Sequence, residues 1–266
     1  MSAAPQDPIL ITGGSSGIGA ATARLAAQRG LPVAISYRTG RTGAEALVAE
    51  LRAEGREVFA FQADVAQEAD IVRLFAQVDA AFGGRRLAGL VNSAGIGGPH
   101  GPVTDFTGEN LAHLWAVNVT GTILASREAV QRFRARGGGA IVNVSSMAAT
   151  IGGRAGAAAY AASKAAVDAF TRGLAKEVAA ERIRVNAVRP GFTLTPMTAQ
   201  PPDVLAAVAL TLPIQRAARP EEVARPILWL LSAEASFVTG ARLDVSGGGF
   251  LVPGTLAPAA AGTEAP

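Results

Sequence analysis

The chain has 266 residues, 49% of them hydrophobic, enough to bury a full core as one domain or at most two. The formal charge of +3 is small and the arginines are spread along the chain, which argues against a nucleic-acid partner. The lack of cysteine excludes disulfides, thiolate nucleophiles and zinc–sulfur sites, two histidines leave little material for a metal centre, and no apolar run is long enough to span a membrane.

The opening Met1–Pro5 has neither a basic start nor an apolar core, so it is no secretory signal and the cytoplasm is the expected location. From Ile9 onward, short apolar runs alternate with helical patterns. Strands are predicted over Ile9–Thr12, Pro32–Tyr37, Val58–Gln62, Leu87–Asn92, Ala140–Ser145, Arg184–Val188 and Leu243–Val245. Helices are predicted over Gly17–Arg29, Gly43–Glu54, Gln67–Phe82, Gly108–Arg136, Ala157–Ala180 and Glu221–Leu231. Such alternation means right-handed βαβ units. The expected fold is α/β: a single-domain, doubly wound Rossmann fold, with a seven-stranded parallel sheet and helices on both faces. That domain should span residues 1–252. Inside it, residues 190–220 are rich in Pro, Thr and short apolar groups and read as a long loop with a small helix, able to act as a lid. Residues 253–266 read as a disordered tail.

The first strand runs into Thr12-Gly13-Gly14-Ser15-Ser16-Gly17-Ile18-Gly19 and then a helix. Glycines at such a turn let backbone amides approach a pyrophosphate at the positive end of the helix dipole. Gly13, Ser15, Ser16, Gly17, Ile18 and Gly19 are therefore candidate cofactor contacts. The same residues also spell G-x-S-x-G from Gly13 to Gly17, the turn that carries the nucleophile of α/β hydrolases, with Ser15 in that role. Several strands should precede such a turn, and here one does.

The second strand ends Ser36-Tyr37-Arg38. A carboxylate about 20 residues beyond the glycine loop would hold the ribose hydroxyls of NAD. Tyr37 and then Arg38 occupy that place. A guanidinium pairs well with a 2′-phosphate, so Arg38 favours NADP over NAD.

Only two of the 24 basic residues are lysines, Lys164 and Lys176, and only two residues are tyrosines, Tyr37 and Tyr160. Tyr160 and Lys164 fall four apart in an Ala-rich helix and so share one face. A free phenol, with pKa near about 10, is a poor base at neutral pH, and a nearby ammonium favours the phenolate. Tyr160 could then protonate an alkoxide during reduction and deprotonate an alcohol during oxidation. This is the chemistry of hydride transfer between a nicotinamide and an alcohol or ketone carbon.

Together these residues resemble the short-chain dehydrogenase/reductase family over about residues 8–250. The resemblance is carried by the Thr12–Gly19 loop, Asp64-Val65, Asn92-Ser93-Ala94-Gly95, Asn118, Asn143-Val144-Ser145-Ser146, Tyr160-Ala161-Ala162-Ser163-Lys164, Asn186, Pro190-Gly191 and Gly247-Gly248. It implies a catalytic set of Asn118, Ser146, Tyr160 and Lys164. Ser146 should bond the substrate carbonyl oxygen, Lys164 should also hold the nicotinamide ribose, and Asn118 should sit in a water-linked proton relay. Asp64 and Val65 should meet the adenine, and Asn92, Ala94 and Gly95 should line the ribose and support the central sheet. Pro190, Gly191, Thr193 and Thr195 should lie by the carboxamide. Ser93 stands where the family more often has a second asparagine. The stretch from Ser146 to Tyr160 is one residue longer than in many members, which leaves Ser145 as a second substrate serine.

The expected partner is a small carbonyl or alcohol compound, a secondary alcohol, its ketone or a sugar, with neither a membrane nor a metal. The resemblance points toward members such as 3-oxoacyl-carrier-protein reductases and glucose dehydrogenases, and toward a homotetramer. Met147, Ile151, Phe192, Leu194 and Met197 should give the substrate a mostly apolar lining, with His100 and Arg154 as polar exceptions. An NADP-binding sensor without turnover is the non-catalytic alternative, although a sensor need not keep all four catalytic side chains.

Overall fold

The computed structural model describes residues 7–249. The opening Met1–Pro5 and the tail expected over 253–266 lie outside the described residues. The chain runs β1 (Ile9–Thr12), α1 (Gly17–Gln28), β2 (Val33–Tyr37), α2 (Arg41–Ala53), β3 (Val58–Gln62), α3 (Glu68–Ala81) and β4 (Gly89–Asn92). It continues through α4 (Gly108–Trp115), α5 (Gly121–Arg136), β5 (Gly139–Val144), α6 (Ala148–Ile151), α7 (Ala158–Val178) and β6 (Ile183–Pro190). The last elements are α8 (Pro202–Leu210), α9 (Pro220–Leu231) and β7 (Arg242–Val245).

All seven strands are parallel in one sheet of order β3-β2-β1-β4-β5-β6-β7. The doubly wound arrangement expected from the sequence is thus the observed one. Side chains alternate across each strand, so one strand feeds two cores. Leu10, Leu90, Ile141 and Val185 pack on one face with Ile71 and Phe75 of α3, Phe133 of α5 and Val178 of α7. Ile9, Ile11, Val91, Val142 and Val188 pack on the other with Ala23 and Ala27 of α1, Leu47 of α2 and Val223 and Ile227 of α9. Burial on both faces is why these strands read as unbroken apolar runs.

Strand order reverses between β1 and β4, whose registers pair Ile11 with Val91 and Thr12 with Asn92. The loops leaving these two strands diverge to opposite faces and open a crevice at their carboxyl ends. One helical region differs from the sequence reading, and the 190–220 region holds the small helix expected there. The predicted Gly108–Arg136 helix is α4 and α5 joined by one π turn, Ala116–Thr120, which holds Asn118. The 190–220 region contains a 3₁₀ turn at Pro196–Thr198 and α8. Among the described residues, no helix is long and apolar enough to cross a membrane.

Candidate active site

A cavity of about 320 Å³ fills the crevice and is lined from the glycine loop to Tyr160. Just before the lining begins at Gly13, the Thr12 Oγ accepts from the backbone amides of Ser93 and Ala94, each at 3.2 Å. This ties the loop after β1 to the loop after β4. Gly13 has φ +66°, and a Cβ there would stand 2.7 Å from the Ala94 Cα. At Gly19 a Cβ would lie 2.3 Å from the Gly13 carbonyl oxygen. Neither position can carry a side chain without moving backbone, so the loop stays pressed against the sheet. The first turn of α1 holds no acidic residue, which leaves its amides and dipole open to an anion. Gly13, Ser15, Ser16, Gly17, Ile18 and Gly19 all line the cavity.

One end of the cavity is set by β2 and β3. Ser36 is buried, and its hydroxyl has no hydrogen-bond partner among the described residues although the residue lines the cavity. Arg38 extends from the end of β2, with one guanidinium nitrogen 3.4 Å from His113 Nε2 on α4. Because arginine only donates, that contact makes Nε2 the acceptor. Asp64 and Val65 line the same end. The Asp64 carboxylate accepts from the Ala66 amide at 2.9 Å, so it also closes its own turn.

At the other end, Tyr160 and Lys164 project from α7 into the cavity, with the Lys164 ammonium nitrogen 5.8 Å from the centroid of the Tyr160 ring. Lys164 is 6% exposed and donates to the Val144 carbonyl at 2.9 Å. Burial pulls its pKa down to about 8, against the opposing pull of Asp168. Burial pushes the Tyr160 phenol up, and a hydrogen bond with Ser146 only partly offsets this. The direction is opposite to the sequence expectation. An ammonium lowers a phenol's pKa only when its field outweighs the desolvation of the phenol, and here desolvation is the larger effect.

The two serines after β5 are turned differently. Ser145 is buried, and its hydroxyl donates to the Lys164 carbonyl at 3.1 Å, pinning α7 to the strand end. The Ser146 Oγ, which accepts from the Ala148 amide at 3.1 Å, is the one hydrogen-bonded to Tyr160. Ala94, Gly95, Pro190, Gly191, Thr193 and Thr195 complete the lining from the β4 and β6 loops.

Two expected residues are not brought to the cavity wall. Asn92 is buried and spends its side chain on Asn143 Oδ1 at 2.9 Å and Ser126 Oγ at 3.0 Å, cross-linking the sheet to α5. Asn118 is fully buried in the π turn. Its amide accepts from Ile96 N at 2.9 Å and donates to Ile96 O at 3.0 Å and Ser163 Oγ at 3.1 Å. It fixes the Ile96 loop and α7 instead of facing the opening. Among the expected substrate contacts, Met197 joins Ile96 in the lining, while Arg154 stacks over Phe192 at 5.2 Å. The sequence reading missed Ser36, Thr39, Val117, Val144 and Thr198, which also line the cavity. For Ser36 the available signal was its place at the carboxyl end of a strand next to the switch point.

A doubly wound sheet with a glycine cradle at its switch point and a tyrosine–lysine pair beyond it defines a class of nucleotide-fold oxidoreductases. Residues 13–249 match the family described as enoyl-(acyl carrier protein) reductase. The chain is 44% identical to the uncharacterized oxidoreductase YgfF of Escherichia coli, over 90% of this chain and 98% of that protein. It is 42% identical to cis-4-hydroxycyclohexanecarboxylate dehydrogenase of Sinomonas cyclohexanicum, over 90% of this chain and 94% of that protein. Among solved structures it is similar to a short-chain dehydrogenase from Burkholderia cenocepacia in complex with NADP. The TM-score is 0.84 at 36% identity, covering 91% of this chain and 97% of that one. The chain belongs to the short-chain dehydrogenase/reductase family and is an oxidoreductase. The hydrolase reading of Ser15 gives way to that membership.

Proposed function

We propose that the protein is an NADP-dependent dehydrogenase/ketoreductase that interconverts a small to medium secondary alcohol, cyclic alcohols included, and its ketone. The observation that carries this reading is one cavity with Gly13–Gly19 and Arg38 toward one end and Ser146, Tyr160 and Lys164 at the other. The residues present fit NADP. The cradle around Gly13 excludes any Cβ, the buried Ser36 hydroxyl is unpartnered, and Arg38 supplies a cation where NAD would need a carboxylate. Bound there, NADP would supply or accept the hydride.

The chain's own residues do the rest. The Ser146 hydroxyl orients the substrate oxygen toward Tyr160. The Tyr160 phenol, kept protonated by burial, donates to that oxygen as negative charge develops on it and takes the proton back during oxidation. Lys164 lies one helical turn away as the charge that steadies the phenolate once the proton has left. Asn118 acts by holding the Ile96 loop and α7 in register. Apolar Ile96 and Met197 in the lining, and the cyclic alcohol in the name of the Sinomonas relative, support an alicyclic or similar carbonyl substrate. Large apolar side chains exposed on opposite faces of the sheet, Trp115 and Ile123 on one and Trp229 and Phe237 on the other, support a homotetramer.

The test follows NADPH absorbance with a panel of cyclic and acyclic ketones. Turnover of some members is expected. Tyr160→Phe and Ser146→Ala should lower kcat by about 10²-fold or more, the usual worth of a positioned acid or base, while Ser145→Ala keeps most of it. NADPH binding without oxidation across the whole panel would favour the sensor, and an active Tyr160→Phe enzyme would overturn the mechanism.

A further inference from the structure

Behind the tyrosine–lysine pair lies a cluster that the mechanism above does not use. Asp168 stands one turn beyond Lys164, which stands one turn beyond Tyr160, so the three share a stripe of α7. Asp168 is 4% exposed. Its Oδ2 accepts from Nε of Arg189, at the end of β6, at 2.8 Å and lies 2.7 Å from the Nη2 of the same guanidinium as an ion pair. Its Oδ1 is buried and makes no hydrogen bond among the described residues. Arg189 is shared in turn, reaching the half-exposed Asp244 of β7 at 3.4 Å.

Taking a carboxylate out of water is costly, and a buried ion pair by itself rarely repays that cost. The arrangement therefore needs a reason other than packing. Two acids and one base leave the Asp168–Arg189–Asp244 group with a net negative charge. Along the stripe Lys164 lies one turn before Asp168 and the exposed Arg172 one turn after it; of the two, the Lys164 amine is the buried one, and it is bonded to a neutral carbonyl. We propose that Asp168 is a positioning residue for catalysis: its buried carboxylate, gripped by Arg189, holds the Lys164 side chain in the charged form.

The opposing effects are visible. Burial draws Lys164 down to about 8, and Asp168 is the group that raises it. Arg189 works against Asp168 by partly neutralising it. The groups facing the amine are Tyr160 and Asp168 on its own helix, with Arg189 of β6 and Asp244 of β7 behind Asp168. The inference rests on Lys164 serving Tyr160, and the test separates the two.

The chain's two lysines make the test direct, because protein labelled at lysine ¹³Cε gives two side-chain signals, assigned with Lys176→Arg. In the free protein Lys164 should titrate at about 8. Asp168→Asn should lower that midpoint by about one pH unit, and Arg189→Gln should raise it. Opposite signs let either variant carry the test if the other does not fold. The alkaline limb of the kcat–pH profile should move with the midpoint. A Lys164 midpoint unmoved in both variants, or moved in the same direction by both, overturns the proposal. A midpoint that moves as expected while the kcat profile stays put upholds Asp168 as the control of the amine and removes Lys164 from the catalytic set.

Discussion

Arg38 shows how one side chain selects between two cofactors. It leaves the end of β2 where an acidic residue would otherwise meet two ribose hydroxyls, and it stands beside the unpartnered Ser36 hydroxyl. Replacing Arg38 with Asp swaps an attractive charge for a repulsive one at a phosphate and offers a hydroxyl acceptor in its place. Arg38→Asp should weaken NADP⁺ binding by about tenfold or more, ~1.4 kcal/mol, and strengthen NAD⁺ binding, as read by fluorescence titration of both. Equal NADP⁺ affinity in the variant would reject the assignment. Arg38 was legible from sequence because its position follows from strand length alone. Tyr160 and Lys164 were legible because both residue types are rare here and fall at helical spacing. The protonation behaviour of that pair was not, since it turns on how deeply each group is buried. Nor was the inward turn of Asn92 and Asn118, which depends on polar partners 22 to 51 residues away in sequence.

Among the elements, the glycine loop and the π turn do the positioning. Gly19 is the tightest point of the cradle, because a methyl group there would lie 2.3 Å from the Gly13 carbonyl and 3.1 Å from the Gly14 Cα. Both neighbours are backbone, so relief requires the loop to lift off α1. Gly19→Ala should therefore cost dinucleotide affinity by about tenfold or more while far-UV dichroism stays close to that of the parent. A variant that binds as tightly as the parent would show that the cradle is looser than its geometry. The loop was readable because glycine spacing maps directly onto backbone need. The π turn was not, because Gly108–Arg136 carries an unbroken helical pattern. One extra residue in a turn leaves that pattern almost intact while turning Asn118 toward Ile96 and Ser163. The 3₁₀ turn at Pro196–Thr198 escaped for a related reason. It is held by Thr195 and Thr198 side chains within a short segment that has no periodicity to detect.

Over the whole molecule, the sheet was predictable because burial on both faces writes each strand as an apolar run, while the order of those strands rests on how the crossovers pack. The same deep burial makes stability depend on pH. Lys164 titrates at about 8 in the folded chain and at 10.5 when free. Between these values the unfolded chain holds a proton that the folded chain has released, so stability rises with pH across that window. Below about 8 both states are charged and the full penalty applies, about 3 kcal/mol at 1.36 kcal/mol per unit. Lys164→Met, which keeps most of the apolar stem and removes the charge, should therefore be more stable than the parent at pH 7. That advantage should shrink steadily as the pH approaches 10.5, the free-lysine value. Tyr160, whose pKa is raised, pulls the other way above its ordinary value: the unfolded phenol ionises first there, and stability falls. Because the folded phenol stays protonated below its ordinary value of 10.0 with or without the Lys164 charge, it adds little to the difference between the two proteins up to pH 10. Guanidinium denaturation midpoints for parent and variant from pH 7 to 10 read this difference directly. A gap that stays constant with pH would mean that the amine is not desolvated in the folded chain. A gap that closes would show that the buried amine is held at a cost to the fold and kept for what it does beside Tyr160.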